Sequence, residues 1–325
     1  MSDRVARYMG GGRVEIVPET LSELPKGGLL IRTEASGLCS GELMAWYMDR
    51  KIPHVLGHEV AGIVERSEDA RFPVGARVFP HHHTPCLACD ECARGAYVHC
   101  PQWRSTKLSP GGMADRFVVP AENLNDTIRV DDLRAIDAAL IEPLACVVKA
   151  FKQAHATPMS GDGGSTAVIG LGFMGLLHMF LAPGAKGYDL NPLRRQWAHA
   201  QGFDASSPEE AIPAETVYVC PGSQKAFDLA MRIVRPGGTI AMFAPLPPGE
   251  DLRVPQEAYF KDIRIVHAYS CGPDDTLAAT ELLRAGVVRA EGVVERFVSL
   301  EELPSAYVDM RDGKILKAMV VWPET

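Results

Sequence analysis

The sequence predicts a two-domain α/β protein: a strand-rich first half, then a doubly wound parallel sheet built around a glycine turn. Three observations carry this. Residues 12–35, GRVEIVPETLSELPKGGLLIRTEA, alternate apolar and polar positions between Pro and Gly, the period of short strands joined by tight turns. From residue 166 short apolar runs alternate with helical stretches, the pattern of a parallel sheet covered on both faces. The chain's 325 residues are 46% hydrophobic, enough apolar material for two cores at about 150 residues per domain.

Taken in order, the strand pattern continues through HEVAGIVERS, GARVFPH and MADRFVVPA, with few helical windows before residue 132. DDLRAIDAALIEPLACVVKAFKQA then places apolar residues at helical spacing, interrupted by Pro143, and marks a hinge where the first domain ends. TAVIGLGFMG reads as a buried strand entering a glycine turn, and VYVC, GGTIAMFA and IRIVHAY as later buried strands, with helical stretches such as QKAFDLAMRIVRPGG between them. From about residue 284 the chain runs to a last strand, KAMVVW. The expected division is 1–147, 148–283 and a return to the first domain over 284–325.

The segment 84–101, TPCLACDECARGAYVHCP, holds four of the eight cysteines. Cys86, Cys89, Cys92 and Cys100 lie within one short stretch, a spacing that suits a closed tetrahedral zinc site with four cysteine ligands. A redox C-x-x-C belongs beside a βαβ unit, whereas this stretch lies in the strand-rich half. A closed shell leaves no coordination position for substrate. His81, His82 and His83 precede it, but with the shell filled by cysteine they read as loop or pocket-wall residues.

Gly170, Gly172 and Gly175 stand at G-x-G-x-x-G spacing directly after an apolar strand, with Phe173 and Met174 between the last two. That context fits the phosphate-binding turn of a Rossmann-type sheet, where backbone N–H groups and a helix N-terminus meet pyrophosphate. Asp189 in GYDLNP is the expected acidic partner of the ribose hydroxyls. It favours NAD over NADP, although Arg194 and Arg195 follow closely. Only 14 positions separate Gly175 from Asp189, against about twenty in the usual fingerprint. The shortening predicts weaker cofactor binding or a displaced adenosine end.

Cys39 in SGLCSGELMAWY, His58 and Glu59 in PHVLGHEVAGIV, and Glu142 in IEPLAC are each weak signals alone. In order with the cysteine lobe, GGMADRFVVPA, VIGLGFMG and VRPGGTI, they make nearly the whole chain resemble the zinc-dependent medium-chain dehydrogenases, the alcohol, sorbitol and threonine dehydrogenase family. The resemblance implies a GroES-like catalytic domain followed by the nucleotide domain, and about two Zn2+ per chain, one catalytic and one structural. It implies a catalytic zinc on Cys39 and His58, with Glu59 or Glu142 as third protein ligand. EPLA with glutamate is similar to the sorbitol dehydrogenase branch.

The implied activity is hydride transfer between a secondary alcohol, foremost a polyol, sugar or cyclitol, and NAD. Amino alcohols as in threonine dehydrogenases, or a degenerate member acting as a binding protein, are the alternatives. The resemblance also implies a homodimer or homotetramer paired through strands such as IRIVHAY. Much of the family carries a serine or threonine two places after the zinc cysteine. Here Gly41 holds that place, Ser40 stands one earlier, and Met44 stands about where a histidine is common. Ser40, Tyr47 and His54 are the candidates for proton transfer. Trp46, Tyr47, Ser105 and Tyr269 are candidates for the pocket wall.

Net charge is −8 with no lysine- or arginine-rich run, so nucleic-acid and anionic-membrane roles have no electrostatic support. No apolar stretch reaches the ~20 residues of a membrane span and no signal-peptide pattern opens the chain, which predicts a cytoplasmic protein.

Overall fold

A computed structural model describes residues 2–154 and 165–323. The chain forms two units, one of residues 1–145 and 271–325, the other of 146–270. The first divide falls inside helix Ile141–Ala154, close to the expected hinge. Pro143 does not interrupt this helix, because it sits in the first turn, where its missing N–H has no intrahelical partner to lose. The return comes at Cys271, earlier than the expected 284. Helix Pro273–Arg284 belongs to the first unit, and its Thr276 hydroxyl donates to Asp126 Oδ1 there at 2.6 Å.

The first unit is built on a 7-stranded sheet. Its path runs through Arg296–Val298, Ala318–Val321, Leu29–Gly37, Glu59–Ser67, Arg77–Pro80 and Thr127–Arg129, with Arg116–Val119 also paired to Leu29–Gly37. A 3-stranded sheet joins Arg13–Glu19, Asp3–Gly10 and His54–Val55. Alternating burial along Leu29–Gly37 sends Leu29 and Ile31 inward, against Val60, Val64, Val78 and Phe117. The short strands and short helices of this unit match the sequence pattern. Its C-terminal strand, Ala318–Val321, is paired antiparallel to the end of Leu29–Gly37 and so carries Lys317 to the start of Glu59–Ser67.

The second unit is a 6-stranded, all-parallel sheet in the order Asp204–Ser206, Lys186–Tyr188, Thr166–Ile169, Ala214–Val219, Val234–Met242, Arg264–His267. Numbered along the chain this is 3-2-1-4-5-6, the doubly wound Rossmann order. The shortening is visible in a 9-residue helix, Phe173–Leu181, and a 3-residue strand, Lys186–Tyr188. The strand still pairs on both sides, so the order survives the loss. Among the described residues no helix is long and apolar enough to cross a membrane.

Candidate metal centres and nucleotide turn

The cysteine lobe is local. Asp90–Ala93 forms one helical turn, and Leu87 takes a positive φ of 58°, folding the chain back so that all four sulfurs lie within 4.8 Å of one another. Cys89 and Cys92 sulfurs are 3.6 Å apart and those of Cys86 and Cys92 4.0 Å. A tetrahedron with the ~2.3 Å zinc–sulfur bond has edges of roughly 3.8 Å, so the donor set fits zinc. Backbone N–H groups already face the sulfurs: Cys86 N donates to Cys100 Sγ at 3.3 Å and Ala88 N to Cys86 Sγ at 3.4 Å. Burial pushes the Cys92 thiol up to about 12. At Cys100 burial acts the same way, but the N–H groups outweigh it and bring that thiol down to about 6.

Cys39, His58 and Glu59 form a second group, with one donor atom from each within 4.8 Å of the others. Cys39 follows strand Leu29–Gly37, and His58 immediately precedes Glu59–Ser67. The antiparallel register sets Gly37 opposite Glu59 and so brings the ends of the two strands together. Gly37 has no room for a side chain, since a Cβ there would run into the Glu59 carboxylate. Gly57, at φ +97°, makes the left-handed turn before His58 and lies against the Met113 backbone.

Two supporting residues escaped the sequence reading. Glu42 is buried, and its carboxylate accepts from Cys39 N at 3.2 Å and Gly57 N at 2.8 Å. It also lies 3.4 Å from His58 Nδ1, which leaves Nε2 as that ring's other donor atom. Burial would lower the His58 pKa, but the Cys39 sulfur and the Glu42 carboxylate lift it well above the ordinary value. Lys317, fully buried, binds Glu59 Oε2. Capping geometry, a Cys at the N-cap and a Glu three residues on, is the one local signal that marked Glu42. Nothing near Lys317 marked it, because strand pairing alone brings it to Glu59.

Glu142 lies within reach of the charges of His58 and Glu59 and also enters a third group. Its carboxylate groups with His81 and Cys271, again within 4.8 Å, and all three residues are buried. Burial raises the Glu142 pKa, the nearby Glu59 charge adds to this, and His58, His81 and Lys317 oppose it. His81 is fully buried just past the end of strand Arg77–Pro80. His82 lies 4.7 Å from the His58 ring, and His83 holds Thr106 O at 2.9 Å beside Trp103. Ser40 is exposed. Trp46 and Tyr47, 38% and 40% exposed, stack edge to face, so core packing does not account for them.

In the second unit Gly170, at φ +87°, ends strand Thr166–Ile169, and Gly172 caps the helix that begins at Phe173. A Cβ on Gly175 would strike the Gly170 carbonyl, so helix and turn pack closer than any other residue permits. Asp189 Oδ2 accepts from Leu171 N at 2.7 Å and Oδ1 from Asn191 N at 2.8 Å. Arg194 Nη1 lies 3.5 Å from the same carboxylate. The acid therefore ties the glycine turn to the second strand.

Comparison with known proteins agrees with both units. Residues 25–129 match the alcohol dehydrogenase GroES-like domain family. The chain is 29% identical over 317 residues to D-altritol 5-dehydrogenase of Agrobacterium fabrum, covering 92% of this chain and 93% of that protein. Over nearly its whole length the chain is thus similar to zinc-dependent medium-chain dehydrogenases. The chain superposes on alcohol dehydrogenase TADH from Thermus sp. ATN1 with a TM-score of 0.83 at 24% identity, over 98% and 99% of the two chains. Galactitol-1-phosphate dehydrogenase from Escherichia coli gives 0.84 at 20%, over 98% and 100%. The first unit thus carries the GroES-like domain, and the second has the Rossmann-type sheet.

Proposed function

We propose that the protein is an NAD-dependent zinc dehydrogenase of secondary alcohols, with polyols and sugars its foremost substrates. The observation that carries this is the convergence of a thiol, an imidazole and a carboxylate, Cys39, His58 and Glu59, on one small volume of the first unit. Three protein ligands of these types suit a catalytic zinc with a position left for substrate. The relatedness to D-altritol 5-dehydrogenase supports a polyol. When bound, zinc supplies Lewis acidity to a substrate oxygen, and the nicotinamide supplies the hydride acceptor.

The chain's own residues do the rest. Glu42 orients His58 so that its Nε2 is presented to the metal, and Lys317 fixes the Glu59 carboxylate. We take Glu59 as the third ligand, since its donor atom groups with those of Cys39 and His58. The turn at Gly170, Gly172 and Gly175, with Phe173 and Met174 starting the helix, receives the pyrophosphate. Asp189 uses one lone pair of each oxygen on the backbone, and the remaining pairs suit ribose hydroxyls. A 2′-phosphate would meet its charge, which supports NAD over NADP. Edge strand Arg264–His267 supports pairing into a dimer or tetramer, which light scattering on the full chain measures.

The test is reduced-nicotinamide absorbance with NAD or NADP and a panel of polyols, amino alcohols and simple alcohols. NAD-linked oxidation of a polyol is expected, and Cys39→Ser should lower turnover by about 1000-fold, the several kcal/mol assigned to Lewis-acid activation. Amino-alcohol oxidation alone would move the substrate to the threonine-type reading. Silence across the panel would sink the proposal.

A further inference from the structure

Three consecutive histidines, His81, His82 and His83, follow strand Arg77–Pro80. Two of the rings are committed. His81 lies 2.6 Å from Asp126 Oδ2 through Nδ1 and 3.6 Å from Cys271 Sγ through Nε2. His83 Nδ1 donates to Thr106 O at 2.9 Å. His82 differs, because its Nδ1 is buried and meets no hydrogen-bonding group among the described residues. The donor atoms of Cys39, His58 and Glu59 group without it, so His82 is no member of that ligand set.

The ring is nonetheless held in place. Its centroid lies 4.7 Å from that of His58 and 4.2 Å from that of His83, and His83 packs in turn on Trp103 at 4.4 Å. Asn123, fully buried, fixes the backbone on either side, donating from Nδ2 to His81 O at 2.8 Å and to His82 O at 3.1 Å. Held between two rings on an anchored backbone, the imidazole has little freedom to swing toward another protein partner. Buried side-chain polar atoms ordinarily have one, and an atom that lacks it marks a place where a ligand can supply it. His82 as a whole is partly exposed, so the ring is not sealed inside the core.

We propose that His82 binds a second hydroxyl of the substrate, next to the one that reacts at the Cys39–His58–Glu59 group. The inference rests on the dehydrogenase reading of that group and narrows its substrate class to alcohols with a neighbouring hydroxyl, that is, vicinal diols and polyols. The place follows from His58, since a ring packed on that of a ligand histidine stands beside the reacting centre. A hydroxyl both donates and accepts, so it satisfies Nδ1 whichever tautomer His82 holds. A substrate that lacks this hydroxyl leaves the nitrogen unpaired in the complex, and the missing hydrogen bond counts against it. Asn123 is a positioning residue.

The experiment uses the zinc-loaded full chain with isotope-labelled histidine. Ring-nitrogen NMR is read with and without xylitol, ribitol, sorbitol and galactitol, and with cyclohexanol as the monohydroxy control. The resonance missing from His82→Phe is expected to move with at least one polyol and to stay in place with cyclohexanol. No movement with any polyol would overturn the proposal, and so would equal movement with cyclohexanol. If His82→Phe fails to fold, His82→Asn supplies the assignment. Turnover gives a second measure. His82→Phe keeps the ring packing without the nitrogen, and should lower kcat/KM for the best polyol about 10-fold more than for cyclohexanol. His82→Asn, whose amide reaches the Nδ1 position, should recover part of that difference. Equal losses on both substrates with no recovery in His82→Asn would reduce His82 to a packing residue. Silence in turnover together with a polyol-dependent shift would strike the dehydrogenase reading and leave His82 as a hydroxyl-binding residue.

Discussion

The cysteine lobe and the Cys39 group use related donor atoms but are built in opposite ways. The lobe draws all four sulfurs from residues 86–100 and orients them with turns and backbone N–H groups of that same segment. The Cys39 group takes its donors from the ends of two strands and its support from Glu42 and Lys317, the latter 258 residues from Glu59. A site made from one segment depends on its metal for shape. A site made by a sheet has its shape before the metal arrives.

That contrast can be broken most directly at the lobe. Its hydrophobic packing is small: Val98 and Trp103 with the cysteines, and partly buried Tyr97 against them. Metal binding there is therefore folding free energy. Cys92→Ser is expected to cost more than ~4 kcal/mol, the range reached by loss of a structural metal, measured by urea unfolding of the full chain. A cost under ~1 kcal/mol would show that the loop holds itself.

The next test is at Lys317. Glu59 and Lys317 are buried together, at 1% and 0% exposure. Removing one member of a buried pair leaves a bare charge and costs about 3–5 kcal/mol. Lys317→Met should therefore destabilise the chelated protein by about 3 kcal/mol, and added zinc should return part of this by binding the orphaned Glu59 carboxylate. The Glu59→Gln, Lys317→Met double variant should be more stable than Lys317→Met alone when metal is absent. If zinc returns nothing to Lys317→Met, Glu59 is not a ligand and the preformed-site picture loses its third member.

The same contrast explains what the sequence disclosed. Cys86, Cys89, Cys92 and Cys100 were legible because their spacing is their geometry. Gly170, Gly172 and Gly175 were legible for the same reason, and so were most strands, whose burial period lies in the local sequence. Glu142 was harder. Its place in a dehydrogenase-like motif tied it to the Cys39 group, and the fold sets its carboxylate beside His81 and Cys271 while keeping it in range of the His58 and Glu59 charges. No local pattern joins residues 81, 142 and 271, because three separate elements bring them together. The early return at Cys271 was hidden likewise, since a helical pattern over 273–284 says nothing about which core the helix packs against.

The smallest expected effect is at Glu42, and it asks how much of the preformed site is electrostatic. Its carboxylate is held by two backbone N–H groups and faces His58. Burial would raise its pKa, but the histidine, closest among its charged neighbours, and the Gly57 N–H pull it below the usual value. Glu42→Gln keeps the size and one acceptor oxygen but removes the charge behind the imidazole. Outer partners of this kind are worth about 10–100-fold in metal affinity. The variant should lose one zinc that much more easily in chelator competition, while the lobe's zinc stays in place and the unfolding midpoint moves little. A loss spread equally over both zincs would mean that Glu42 acts through the fold of the first unit. A loss confined to one zinc would mean that the sheet supplies the shape of the Cys39 group and Glu42 supplies its affinity.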